Sequence, residues 1–132
     1  MKKLLFLIFI SLPSVVYGEG SLTLSCKGKL IEESHDHKIS EYPESRIYKF
    51  SDRKYIDTSG KELSVLWSDE KIRYLCNSLT DCVIERPNTI YHVIEIDRLS
   101  GFVTDFQVHS ITTTKNDYST FKGECNVGRQ KF

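Results

Sequence analysis

The sequence predicts an all-β protein. About eight short antiparallel strands run as a meander that forms a small barrel or sandwich, with the first and last strands adjacent. Three observations lead there. Apolar residues recur at every second position in several short runs. Turn-forming residues return every eight to twelve positions. The two ends also carry cysteine and glycine in reversed order, C-K-G at 26–28 and G-E-C at 123–125. Two antiparallel neighbours read against each other show that order.

Residues 1–18, MKKLLFLIFISLPSVVYG, read as a cleaved signal peptide. Lys2 and Lys3 precede an apolar run from Leu4 to Ile10, Pro13 breaks it, and Val16 and Gly18 supply the small side chains before a cut at Glu19. The run is too short to cross ~30 Å of hydrocarbon, so no stable membrane insertion is expected after cleavage. Lipidation of Cys26 is disfavoured, because Thr23 stands where a bulky aliphatic belongs and three cysteines would remain for pairing. Residues 19–132 then form a single disulfide-stabilised β-domain of 114 residues. It carries 16 basic and 18 acidic residues, a formal charge of −2. With no long basic run, a nucleic-acid partner is not expected.

Along that domain, SLTLSCKGKLIE alternates Leu22, Leu24, Cys26 and Leu30 with polar neighbours. The polar stretch 33–45, ESHDHKISEYPES, has no period and is expected to be a loop. RIYKFS sets Tyr48 and Phe50 on one side, and RKYIDT either pairs with it or makes a short edge. Ser59 and Gly60 mark a turn before KELSVLW. KIRYLC follows, and CVIERP stops at Pro87. NTIYHVIEID and GFVTDFQVHSI are the clearest strands, joined by RLSG; TTTKND at 112–117 reads as an exposed connection before DYSTFKGEC.

Four cysteines, Cys26, Cys76, Cys82 and Cys125, all lie beyond the leader. An even number in an exported chain points to disulfides, and three connectivities are possible. Cys76 and Cys82 flank NSLTD, which reads as a hairpin connection, so their pairing leaves Cys26 for Cys125. The C-x5-C spacing lacks the tight knuckle of zinc ribbons, and there is no C-x-x-C for redox work.

The stretches YHVIEIDRLSG and FKGEC, with Trp67, Ile72 and Cys76 before them, resemble small exported bacterial proteins of unassigned function. The pattern positions are Trp67, Ile72, Cys76, Ile96, Asp97, Arg98, Ser100, Gly101, Gly123 and Cys125. The resemblance spans about half of the domain and implies an exported β-rich fold, with no activity attached. Read physically, Asp97, Arg98 and Gly101 are a structural turn. Asp97 accepts from backbone N–H groups two or three residues on, Gly101 supplies a positive φ, and Arg98 pairs with a carboxylate on a neighbouring strand.

The histidines are the weak metal candidates. His35 and His37 flank Asp36, an arrangement that suits zinc, copper or nickel. His92 falls opposite Gln107 if RLSG joins the flanking strands, with His109 diagonal to it, although a one-residue slip separates them. The plainer reading is that both are solvent-exposed on their strands. No nucleophile elbow, H-E-x-x-H or phosphate loop occurs. A non-enzymatic, cofactor-free binding module is therefore expected, periplasmic or secreted. It would meet another protein or a small ligand of the cell envelope, as an inhibitor or immunity protein does. The alternative is a histidine-based metal-binding protein.

Overall fold

The computed structural model describes residues 21–78, 82 and 88–126. The expected leader at 1–18, most of CVIERP and part of the NSLTD connection lie outside the described residues. Nine strands follow in chain order: β1 (Ser21–Glu33), β2 (Ile39–Ser51), β3 (Lys54–Ile56), β4 (Glu62–Ser64), β5 (Leu66–Trp67), β6 (Lys71–Cys76), β7 (Thr89–Asp97), β8 (Phe102–Thr112) and β9 (Lys115–Asn126).

They form one antiparallel sheet in the order β4-β3-β2-β1-β9-β8-β7-β6-β5. The ends of that order, β4 and β5, are separated in the chain by Val65 alone. The run 62–67 therefore pairs with β3 on one side and β6 on the other, which curls the sheet into a nearly closed barrel. The expected meander, with first and last strands adjacent, is present; the extra strand arises because KELSVLW divides at Val65.

The seam between β1 and β9 explains the mirrored termini. Cys26 lies directly opposite Cys125, and Gly28 directly opposite Gly123. The first pair is a disulfide with its Cα atoms 4.0 Å apart, and Cys76–Cys82 is the second. The glycines are required by close approach. A Cβ on Gly28 would lie 1.9 Å from the Lys122 carbonyl oxygen, and one on Gly123 would lie 2.5 Å from that of Lys27. No side chain fits there.

Two expected loops are strands instead. Within 33–45 only the turn 34–38 is irregular, closed by Ser34 N–H to Lys38 O and His37 N–H to Ser34 O, each 2.9 Å. Residues 39–45 pair with 27–33 of β1. They lack apolar alternation because both faces of the strand meet solvent there: residues 39–43 are exposed and Glu44 is half-buried. TTTKND likewise shrinks to a turn at Thr113 and Thr114, with β9 beginning at Lys115.

The wall is uneven. β2 has 13 residues and β3 has 3, so β3 covers only positions 49–51 of its neighbour. The β2–β3 hairpin turns through Asp52 and Arg53, both at positive φ (51° and 63°), as a two-residue I′ turn requires. In such a hairpin Ser51 and Lys54 bond each other, so odd-numbered residues of β2 aim their backbone groups away from β1. Pro43 is one of them. Among the described residues no strand pairs with β2 at that height, so its missing N–H costs no ladder bond.

Replacing Cys26 and Cys125 together by serine should cost about 4 kcal/mol, from the chain entropy of a loop of about a hundred residues. Gly28→Ala with the disulfide intact should cost about 1–3 kcal/mol or more by overpacking a backbone contact. Urea unfolding of the three proteins checks both. A glycine variant as stable as the parent would mean the seam is wider than described.

Candidate binding chamber

The barrel interior divides into two parts. Toward the end where β1 begins, Leu24, Phe50, Tyr55, Ile72, Ile96 and Val103 pack with the half-buried Leu22, Leu63 and Trp67. Rings meet in succession from Trp67 to Phe50 (5.6 Å), Tyr55 (5.7 Å), Tyr74 (5.3 Å) and His92 (5.4 Å). Beyond His92 the interior turns polar.

Asp105 is the hub of that polar half. It shares the inward face of β8 with Val103, and only 3% of its surface is exposed. Tyr48 donates its hydroxyl to Oδ2 at 2.7 Å, Arg46 donates Nη1 to the same oxygen at 2.9 Å, and His92 Nε2 meets Oδ1 at 2.8 Å. Arg46 also bonds Glu44 through Nε and lies over the Phe121 ring, 4.8 Å from its centroid. Burial pushes the Asp105 carboxyl up, but the bond and charge of His92, then Tyr48 and Arg46, outweigh it and hold the group below the ordinary aspartate value. For Tyr48, burial comes first and the Asp105 charge adds to it, so the phenol is held well above its usual value. Burial lowers Arg46, but Asp105, Tyr48 and Glu44 more than restore it. The guanidinium stays charged.

Two cavities reach this polar half. Above the short β3–β4 hairpin, a cavity of about 300 Å³ opens through the wall onto Arg46, Tyr48, Tyr55, Thr58, His92, Asp105 and Gln107. At the mouth, where β1 ends and β9 begins, a second of about 470 Å³ is lined by residues that include Glu32, Glu33, Lys38, His109, Asp117 and Ser119. Volumes of this order suit small ligands.

Placement of the histidines corrects the sequence reading. His92 faces Gln107 in the register as expected, but His92 and His109 are buried, at 3% and 7% exposure, where exposed strand positions were expected. Curling the sheet into a barrel turns their face inward. A register shift between Thr89 and Tyr91 sets His109 opposite Thr89, and its Nδ1 lies 3.1 Å from Thr89 Oγ1. His35 binds Asp117 through its backbone N–H (2.9 Å) and Nδ1 (3.2 Å), and His37 Nδ1 lies 3.6 Å from Glu33. Among the described residues, no three His, Cys, Asp or Glu side chains gather as a metal would require.

The Asp97 turn is as read, with one difference. Asp97 Oδ1 accepts from the N–H groups of Leu99 (2.9 Å) and Ser100 (3.1 Å), and Gly101 has φ +80°. Arg98, however, donates to the Ser68 carbonyl at 2.6 Å and lies over the Trp67 ring; among the described residues it has no carboxylate partner. The π-face and carbonyl stand where a carboxylate was expected. Arg46, Tyr48 and Asp105 were missed altogether. The alternation of FVTDFQVHSI pointed the other way: it sets Phe102, Phe106 and Val108 on one face and Asp105 with Gln107 and His109 on the other, so the pattern alone puts Asp105 on the polar side.

These shifts contribute to stability at both ends of the pH range. The depressed Asp105 contributes stability above the ordinary aspartate range, which is lost as pH falls through its lower folded value. The raised Tyr48 contributes stability below about pH 10, which is lost as pH rises further. Asp105→Asn should cost about 3–5 kcal/mol at neutral pH, since it strands Arg46, and should flatten the acid limb of a urea-midpoint profile. An unchanged acid limb would show that Asp105 does not govern it.

No protein-family model matches this chain, and no curated protein or solved structure is significantly similar to it.

Proposed function

We propose that the protein is an exported binding module that takes a small polar ligand into the upper half of its barrel. The leader pattern at 1–18 supports export. The two disulfides are consistent with an oxidising compartment, periplasmic or extracellular. One observation carries the ligand reading: polar side chains from β2, β7 and β8 converge on cavities that communicate with solvent, over an apolar floor. The His92–Asp105 pair lines the side cavity, and its carboxylate also binds Tyr48 and Arg46, so we assign the pair to the polar wall of the chamber.

A protein partner is the second reading, and a different feature favours it. On the outer side of the sheet Leu75, Val93 and Phe106 stand in register across β6, β7 and β8, and Tyr91 and Tyr118 form the next row with Val108 buried in register between them. Tyr91 and Tyr118 flank Phe106 at 5.9 and 6.3 Å between ring centroids. Outward strand positions are ordinarily polar, and aromatic rows of this kind recur at protein interfaces.

Saturation-transfer NMR of the purified protein with a set of small polar fragments tests the ligand reading. Fragments should bind, and Gln107→Trp, which fills the chamber, should abolish their signals while leaving the melting temperature within a few degrees. Absence of binding, or binding untouched by Gln107→Trp, overturns it. Phe106→Arg should leave fragment binding intact.

A further inference from the structure

The mouth cavity is electrostatically one-sided. Three carboxylates, Glu32, Glu33 and Asp117, line it against a single ammonium, Lys38. That ammonium is turned elsewhere: Lys38 Nζ pairs with Asp36 at 3.9 Å, outside the lining. Among the described residues, the carboxylates meet neutral or weakly basic groups. Glu32 bonds the Tyr42 hydroxyl, Glu33 lies beside His37, and Asp117 beside His35. A second sign of the local field is Tyr42. The Glu32 bond first, then desolvation, then the charges of Glu32 and Glu44, hold its phenol above the ordinary value. A concave site lined by one sign of charge concentrates its potential on whatever enters.

The rest of the lining says which cations fit. Ser34, Ser40, Ser110 and Ser119 present hydroxyls, and Tyr118 and Ile111 present apolar surface. Hydroxyl oxygens and carboxylates accept from N–H donors, while a flat apolar edge suits a carbon chain. A bare metal ion would need at least three close ligands, and no such group forms among the described residues. We propose that the mouth cavity is a site for a compact organic cation, a primary ammonium or guanidinium on a short carbon chain. The same chemistry is presented by a free diamine and by the end of a lysine or arginine side chain. This assignment rests on the ligand-chamber reading and narrows it.

Isothermal titration and 15N–1H NMR of the full protein at low salt test the assignment with putrescine, Nα-acetyl-lysine methylamide and succinate. The two cations should bind saturably and shift the amides of Ser34, Ser110 and Ser119; succinate should not. Glu32→Gln and Asp117→Asn should each weaken the cations about tenfold, equivalent to about 1.4 kcal/mol. Because Asp117 also holds the turn 34–38, Glu32→Gln is the variant that reports charge alone. Preference for putrescine over the lysine amide points to a free amine, and the reverse to a side chain on a partner. Equal response to succinate, no response to either cation, or shifts reproduced by magnesium or calcium chloride overturns the assignment. A neutral or anionic fragment that shifts Arg46 and Gln107 while both cations fail would sink the cation site and leave the chamber standing.

Discussion

The seam between β1 and β9 is the constraint on which the rest of the barrel depends. A disulfide and a pair of facing glycines occupy neighbouring inward positions there, and each needs the other. The glycines let two backbones approach closely, and the sulfur bridge holds that approach in a single alignment. The alignment then passes outward from strand to strand. Cys26 pairs with Arg46 on one side and Cys125 on the other, while Phe121 pairs with Asp105. Arg46 and Asp105 reach each other only because both registers are held. A slip of one residue would turn Arg46 and Tyr48 to the outside and leave Asp105 with His92 as its remaining partner among those described.

The buried charges therefore act as a check on the alignment. Apolar side chains tolerate exchange, since a leucine in place of an isoleucine still excludes water. A carboxylate with bonds to a guanidinium, a phenol and an imidazole tolerates no such exchange. The polar half thus costs desolvation and returns discrimination among competing strand pairings. It also keeps the upper interior from being filled by hydrocarbon, and that leaves room for the two cavities.

Legibility in the sequence followed the distance over which partners act. The β1–β9 pairing could be read because cysteine and glycine carry their geometric requirement in their identity, whatever lies between them. The turn at 97–101 could be read because its bonds span two to four residues. The first half of β2 could not. It has no apolar alternation to read, because residues 39–43 are exposed on both faces and Arg46 turns to the charge of Asp105, where the pattern rule expects hydrocarbon. The burial of His92 was hidden for a related reason: its partner Asp105 is thirteen residues on, and only barrel closure makes their shared face the inside. Arg46 and Asp105, 59 residues apart, belong to the same class.

Val65 has a dynamic meaning as well. On either side of it the barrel is shut by three paired positions with β3 and two with β6, whereas β1 is joined to β2 along thirteen. Thermal separation starts where the fewest backbone bonds must break. That place adjoins the side cavity and lies across the barrel from the sulfur bridge. The molecule is consequently a clasp with one welded edge and one sprung edge, and local opening is expected at the sprung edge while the weld preserves the fold.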